Sequence, residues 1–237
     1  MPIKAEIAAN TLRRKETNMK KKIHKNDFVS ADTWRVFRIM SEFVEGFELL
    51  SEVGKAVSVF GSSRIKPGTK YYKLAEDIAY HLAKEGYAII TGSGPAIMEA
   101  ANKGAWRAKG HSIGLNIQIP SEQKPNKYVD TLLDFRYFFV RKVMFVKYAS
   151  AFVIMPGGYG TLDEFTEAIN LIQTERIPKF PVILVGREYW KGMLDWLKNT
   201  VLKNGSINKE ELNIFTVVDT PQEVVHIINK FYDMANC

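Results

Sequence analysis

The sequence predicts an α/β fold in which a mostly parallel central sheet lies between two layers of helices. Two observations lead to this prediction. Strand-like and helix-like segments alternate from Asp32 to the end of the chain. The strand-like segments are continuous apolar runs, such as YAIIT (87–91) and AFVIM (151–155), which are typical of strands covered on both faces. Right-handed crossovers between such strands produce a parallel sheet with helices on both sides.

The individual elements follow from periodicity and from the residues that end each segment. Apolar residues recur every three or four positions in the helical segments, and glycine often follows them, as Gly86 does. The predicted helices are residues 32–54, 71–86, 95–110, 136–149, 161–175, 188–202 and the segment from Pro221. The predicted strands are residues 56–63, 87–94, 111–117, 150–158 and 180–186, with shorter extended segments within 119–135 and 213–219.

The chain of 237 residues is 46% hydrophobic, which is enough for one substantial core. Its net charge of +7 is unevenly distributed: residues 1–25 contain eight lysines and arginines against two glutamates. We therefore predict a basic, disordered tail over residues 1–30 and a single domain over residues 31–237. A basic tail can bind nucleic acid through phosphates, but a solvated tail is the simpler interpretation.

The other compositional features narrow the class of protein. Cys237 is the only cysteine, which argues against disulfides and thiolate metal sites and favours a reducing cytoplasm. No apolar run reaches the roughly 20 residues of a membrane span, so no membrane association is expected. The four histidines are scattered along the chain, and no metal site is predicted.

Three predicted strands end in loops of small residues, which we expect to form one binding site. The loops are FGSSR with Ser62, TGSGP with Gly92 and Gly94, and MPGGYGT at residues 155–161. Ligands of parallel sheets bind beyond the carboxyl ends of the strands, where such loops converge. The third loop lacks the GK[ST] ending of a nucleoside triphosphate site, and the second lacks the third glycine of a dinucleotide fingerprint.

The loop MPGGYGT has two interpretations that its spacing leaves open. Gly157, Gly158 and Gly160, with Tyr159 between them, allow the backbone to approach a ligand closely, and amides near Thr161 would point out of a helix N-terminus. That arrangement suits a phosphate or another anion. The same glycines are also what a tight strand-to-helix turn requires.

Glu164 likewise has a structural and a functional interpretation. Thr161 and Glu164 form the T-x-x-E pattern of a capping box, and this spacing favours Thr161 as the helix N-cap. The functional alternative is a carboxylate beside a bound phosphate, acting on the attached sugar. Arg141 and Lys142 lie among apolar residues, so these cations are expected to need an anionic partner.

The segment PGGYGTLDE, with RK 23 residues before its final acid, closely resembles the LONELY GUY (LOG) family. Members are often mislabelled as lysine decarboxylases. The resemblance extends from about Phe37 to Ile228 and includes VFGSSR, TGSGPAIMEAANKGA and IGLNIQIPSEQKPN, which are most similar to the bacterial branch. Ala96 stands where many relatives have glycine.

The resemblance implies a modified Rossmann fold, commonly a homodimer, and a phosphoribohydrolase that needs no cofactor. Such enzymes release the free base and ribose 5-phosphate from AMP or from a cytokinin riboside monophosphate. By position, Arg141 and Glu164 match the catalytic pair of the family. The matching substrate-binding residues are Glu122, Lys142 and the segment 158–164. Glu122 and Glu99 are candidates for the group that protonates the leaving base.

Three other functions are alternatives to the phosphoribohydrolase. Lysine decarboxylation requires a pyridoxal phosphate Schiff-base lysine, and nothing in the sequence marks such a residue. A non-catalytic carrier of a nucleotide or a phosphorylated cofactor is the main alternative, although it would not need both Arg141 and Glu164. Nucleic-acid binding through the tail predicts salt-sensitive binding that is lost when residues 1–25 are removed.

Overall fold

The computed structural model describes residues 32–119 and 124–235. The predicted tail (1–30) and Glu122 lie outside these ranges. The chain divides into two compact units, residues 1–43 and residues 44–237, and the predicted single domain of residues 31–237 stays a prediction. In the first unit, the described residues form the first part of a helix on which Trp34, Phe37 and Met40 are exposed.

Helices and strands alternate as the sequence predicts, except that β4 follows β3 with no helix between them among the described residues. The helices are α1 (Asp32–Leu50), α2 (Lys70–Lys84), α3 (Ile97–Arg107), α4 (Phe138–Tyr148), α5 (Tyr159–Gln173), α6 (Arg187–Trp196) and α7 (Pro221–Ala235). The strands are β1 (Ala56–Phe60), β2 (Ala88–Thr91), β3 (Ser112–Ile117), β4 (Thr131–Phe135), β5 (Ala151–Ile154), β6 (Val182–Val185) and β7 (Phe215–Val218). Helix α6 continues as a π-helical turn over Leu197–Val201, and a 3-10 turn precedes β7 at Glu210–Asn213.

The seven strands form one sheet in the order β4-β3-β2-β1-β5-β6-β7, and every described pair is parallel. Val57 of β1 lies opposite Ile89 of β2 on one side and Ala151 of β5 on the other. Every residue of the five strands β1, β2, β3, β5 and β6 is buried, which explains their continuous apolar sequence. The α/β prediction is confirmed.

Helices cover both faces of the sheet in the second unit. On one face α2, α3 and α7 pack over Val57, Val59 and Val153 to form the largest apolar cluster. On the other face Phe60 contacts the rings of Phe145 on α4 and Phe152 on β5, with ring centroids 4.8 and 4.9 Å apart. The result is a three-layer Rossmann-like arrangement. Within the described ranges, no helix combines the length and apolarity needed to cross a bilayer.

Candidate active site

A cavity of about 610 Å³ lies at the carboxyl ends of the strands. Strands β2, β3 and β4 follow one another on one side of β1, and β5, β6 and β7 follow on the other side. The order of strands therefore reverses at β1, and parallel sheets bind ligands at such a topological switch point. The lining comes from the ends of β1 and β3, from the loops after β1, β2, β3 and β5, and from helices α3, α4 and α5. The residues are Phe60, Gly61, Ser62, Ser63, Arg64, Gly92, Met98, Ile117, Ile119, Phe138, Arg141, Phe145, Gly158, Tyr159, Gly160, Thr161, Leu162 and Glu164.

The loop between β5 and α5 forms one wall of the cavity. Helix α5 begins at Tyr159, so the free amides of its first turn lie at the cavity. Gly157 is buried behind this turn, and a Cβ atom there would lie 2.0 Å from the Oγ1 atom of Thr161. The Tyr189 hydroxyl donates a 2.7 Å hydrogen bond to the Gly157 carbonyl oxygen. The loop is therefore held tightly while its exposed end, at Gly158 to Gly160, faces open space.

The predicted capping box is wrong. Gly158, not Thr161, is the N-cap of α5, and no side chain caps the helix. The glycine-rich loop lets the helix begin three residues earlier than the T-x-x-E pattern indicates. Glu164 consequently lies in the second turn, where its side chain is 5% exposed and its Oε2 atom has no hydrogen-bond partner among the described residues.

The other two small-residue loops are joined to this one through Ser62. Its amide donates to the Pro156 carbonyl oxygen at 3.0 Å, and its own carbonyl oxygen accepts from the Ile97 amide at 3.2 Å. In the loop after β2, the side-chain amide of Asn126 donates to the carbonyl oxygens of Ser93 and Gly94 at 2.9 and 3.1 Å. Gly92 lines the cavity, whereas Gly94 does not and is buried, with its carbonyl oxygen accepting the hydrogen bond from Asn126.

Arg141 enters the cavity from the first turn of α4. Its guanidinium lies over the rings of Phe138 and Phe145, at 5.3 and 5.5 Å from their centroids. Its Nη1 atom is 3.5 Å from the Leu115 carbonyl oxygen, and its Nε atom is buried without a partner in the described structure. Burial lowers the pKa of Arg141, although Glu164 and Asp163 oppose that effect. Guanidinium groups stay charged in proteins, so the cavity holds a positive charge.

Glu164 is the one carboxylic acid among the described residues that line the cavity. Burial raises its pKa to about 7, although the positive charges of Lys142 and Arg141 oppose the rise. Within the described ranges, no ion pair of 4 Å or less joins Glu164 to Arg141. A carboxyl group with this pKa is partly ionised at neutral pH, and its ionised form can act as a general base.

Lys142 lies beside the site but does not line the cavity. Its Nζ atom forms ion pairs with Asp163 at 2.9 Å and Glu167 at 3.1 Å, both on α5. Burial would lower the pKa of Lys142, but its contacts with these two carboxylates outweigh that effect and raise it. The sequence correctly indicates that this lysine needs an anionic partner, and the structure supplies that partner from the protein itself.

The structure therefore gathers most, but not all, of the predicted site residues around one cavity. Those that line it are Ser62, Gly92, Arg141, Gly158, Tyr159, Gly160, Thr161 and Glu164. Gly94, Lys142 and Gly157 do not line the cavity, and Glu122 is outside the described residues. Glu99 does not line the cavity and interacts with the Tyr72 hydroxyl. Among the described residues, no cluster of three or more histidine, cysteine or acidic side chains forms a metal site.

Sequence reasoning missed the aromatic and basic part of the lining. Arg64 follows β1, and Phe138 and Phe145 flank Arg141 on α4. The sequence contains features that could have predicted these residues. Arg64 belongs to the strand-end motif FGSSR, and the two phenylalanines lie three and four residues from Arg141, which places them on the same side of a helix. Met98 also lines the cavity, whereas Met144 is fully buried and packs close to Gly46.

Comparison with protein families identifies the relatives of this chain. A family model described as "possible lysine decarboxylase" matches residues 98–228, more than half of the chain. The chain belongs to this family, the LONELY GUY (LOG) family. A probable LOG cytokinin riboside 5′-monophosphate phosphoribohydrolase of rice is 27% identical over 75% of this chain and 84% of its own length. A LOG cytokinin riboside 5′-monophosphate phosphoribohydrolase of Arabidopsis thaliana is 25% identical over 79% of this chain and 88% of its own length.

Solved structures share the LOG fold at lower sequence identity. A molybdenum cofactor binding protein from Rippkaea orientalis has a TM-score of 0.56 and 22% identity, covering 75% of this chain and 96% of its own. The molybdenum cofactor carrier protein of Chlamydomonas reinhardtii has a TM-score of 0.55 and 17% identity, over 76% of this chain and 99% of its own. At these identities the similarity establishes the fold alone.

Proposed function

We propose that this LOG protein hydrolyses the N-glycosidic bond of a nucleoside 5′-monophosphate, AMP or an N6-substituted AMP such as a cytokinin riboside monophosphate. The products would be the free base and ribose 5-phosphate. The observation that carries the proposal is the shared cavity in which Glu164, with a pKa of about 7, lies within two turns of a glycine-rich helix N-terminus. The names of the LOG relatives support the same reaction.

The 5′-phosphate would bind at the start of α5, where Gly158 and Gly160 leave space and the first-turn amides provide donors. This placement puts the ribose towards Glu164, in the next turn of the same helix. Arg141 would contact the phosphate or the ribose from the opposite wall and balance its negative charge. The apolar side chains of Met98, Ile117 and Phe138 remain to contact the base.

Cleavage of the glycosidic bond builds positive charge on the ribose ring, as in other glycoside hydrolyses. An ionised Glu164 would stabilise that charge and accept a proton from the water that attacks the anomeric carbon. The bond to the base breaks with its electron pair on the base nitrogen, which takes up a proton in turn. Glu99 contacts Tyr72 rather than the cavity, so it is a poor candidate for that proton donor.

Product analysis tests the proposal directly. The purified protein is incubated with AMP, GMP, CMP, UMP and isopentenyladenosine monophosphate, and free base is measured by chromatography. We expect base release from an adenine nucleotide, lost in Glu164→Gln and kept in the matched control Glu99→Gln. If no base is released and a monophosphate still raises the melting temperature, the non-catalytic carrier is supported instead.

The oligomeric state and cellular location belong to the same proposal. A homodimer is implied by the family resemblance, and the exposed apolar residues Phe138, Phe139 and Val143 of α4 offer surface for a second copy. Size-exclusion chromatography with light scattering measures the mass directly. The cytoplasmic location rests on the cysteine content of the sequence.

A further inference from the structure

Lys142 is the feature of the site that the proposed reaction leaves without a role. It follows Arg141 on α4, but its ammonium group points to α5 and is held between Asp163 and Glu167 at 2.9 and 3.1 Å. Its side chain is 16% exposed, and it does not line the cavity. Because two carboxylates already occupy it, Lys142 is badly placed to bind a phosphate.

The two partners of Lys142 flank Glu164 in the sequence of α5. Asp163 precedes Glu164, and Glu167 follows it by three residues, which places all three carboxyl groups within little more than one helical turn. The charged groups that act on Glu164 are these two acids and, from α4, Arg141 and Lys142. The acids disfavour the ionised form of Glu164, and the two cations favour it.

We propose that Lys142 is a positioning residue that keeps Glu164 ionised by neutralising Asp163 and Glu167, and that it is not a ligand of the substrate phosphate. Its ion pairs also join α4 to the second and third turns of α5, and these two helices carry Arg141 and Glu164. The catalytic consequence rests on the proposed function, whereas the effect on the protonation of Glu164 does not.

Removing the ammonium group should shift the titration of Glu164 in a defined direction. Without Lys142, a nearby cation is lost and two uncompensated carboxylates remain beside Glu164. Both changes penalise the ionised form, so the midpoint should rise by about one pH unit, the usual size of one close charge. Neutralising the two partner acids as well should return the midpoint towards that of the unmodified protein.

The experiment is a ¹³C NMR titration of protein labelled at the glutamate side-chain carboxyl carbon, with Glu164 assigned from the Glu164→Gln variant. We expect the Glu164 midpoint to rise in Lys142→Met and to stay in place in Lys142→Arg. The matched control is Lys147→Met, which removes a lysine of the same helix that lies over the rings of Phe47 and Tyr148. The triple variant Lys142→Met/Asp163→Asn/Glu167→Gln should titrate near the original midpoint and also serves if the single variant does not fold.

The readout separates this inference from the proposed function. If base release is observed, its pH profile should move with the NMR midpoint in Lys142→Met, while KM changes little. An unmoved midpoint together with weaker binding of AMP would overturn the inference and make Lys142 a phosphate ligand. If no nucleotide is cleaved, the proposed reaction fails, but the NMR midpoints still decide the role of Lys142.

Discussion

Arg141 and Glu164 face the same cavity from helices α4 and α5, and each has one buried polar atom, Nε and Oε2, without a partner among the described residues. Unpaired charged groups of this kind are costly to bury, and they concentrate at functional sites. The pair is therefore not a structural salt bridge, and we propose that both groups contact the substrate.

The pH dependence of base release should follow the ionisation of Glu164. Burial raises the pKa of this carboxyl group to about 7, and the proposed mechanism requires its ionised form. We therefore expect kcat/KM for AMP to rise between pH 5.5 and 8, with a midpoint near 7. A rate that is constant over this range would exclude Glu164 as the base. The profile is measured by base release in constant-ionic-strength buffers.

The same burial predicts that Glu164→Gln stabilises the folded protein at high pH. The folded-state pKa of Glu164 lies above the ordinary value of 4.5. The contribution of Glu164 to the unfolding free energy is therefore fully present below pH 4.5 and is lost as the pH rises through about 7. Above pH 7, the variant should gain up to about 3 kcal/mol of unfolding free energy. Urea unfolding at pH 5 and pH 8 measures the difference. A variant that is less stable than the original at pH 8 would contradict the burial argument.

Two glycines of the loop between β5 and α5 should have different roles: Gly157 a structural one and Gly160 one in ligand binding. A Cβ atom on Gly157 would lie 2.0 Å from Thr161 Oγ1, so Gly157→Ala should destabilise the fold by about 1–3 kcal/mol. A Cβ atom on Gly160 meets nothing within 4 Å, so Gly160→Ala should keep the melting temperature but weaken AMP binding, because Gly160 lines the cavity. Thermal unfolding and calorimetric titration of AMP test both variants. Equal loss of stability in the two would refute the distinction.

The position of the cavity could be predicted from the sequence because it follows from topology. Strands of a parallel sheet end at one edge, so the loops that contain Ser62, Gly92 and Gly158 must converge there. The start of α5 could not be predicted, since a glycine N-cap leaves no side-chain signature to compete with the pattern of Thr161 and Glu164.

The different orientations of Arg141 and Lys142 also could not be predicted from the sequence. Adjacent helical residues point about 100° apart, so only one of them can face the cavity. The apolar surroundings indicate that both cations need partners, but not that Asp163 and Glu167 on another helix bind Lys142. Which acid meets which cation depends on how α4 packs against α5, and hydrophobic periodicity does not record that packing.

The backbone of Ala96 predicts that a single glycine substitution stabilises the protein. Ala96 has φ 63° and ψ −116°, a conformation that costs an L-residue on the order of 1 kcal/mol or more and that glycine adopts freely. We expect Ala96→Gly to raise the unfolding free energy by about 1 kcal/mol, since relief of strain outweighs the greater flexibility of the unfolded chain.

A matched control for this prediction lies in the same loop. Ser93 also has a positive φ, of 60°, but its buried hydroxyl donates a 3.1 Å hydrogen bond to Asn116 Oδ1. Ser93→Gly relieves the backbone and at the same time leaves a buried acceptor without that donor, which costs about 1–3 kcal/mol. Urea unfolding should therefore show Ala96→Gly more stable than the original and Ser93→Gly no more stable than it. If both variants gained stability equally, the hydrogen bond of Ser93 would contribute nothing to the unfolding free energy. If neither variant gained stability, the strain assigned to Ala96 would be refuted.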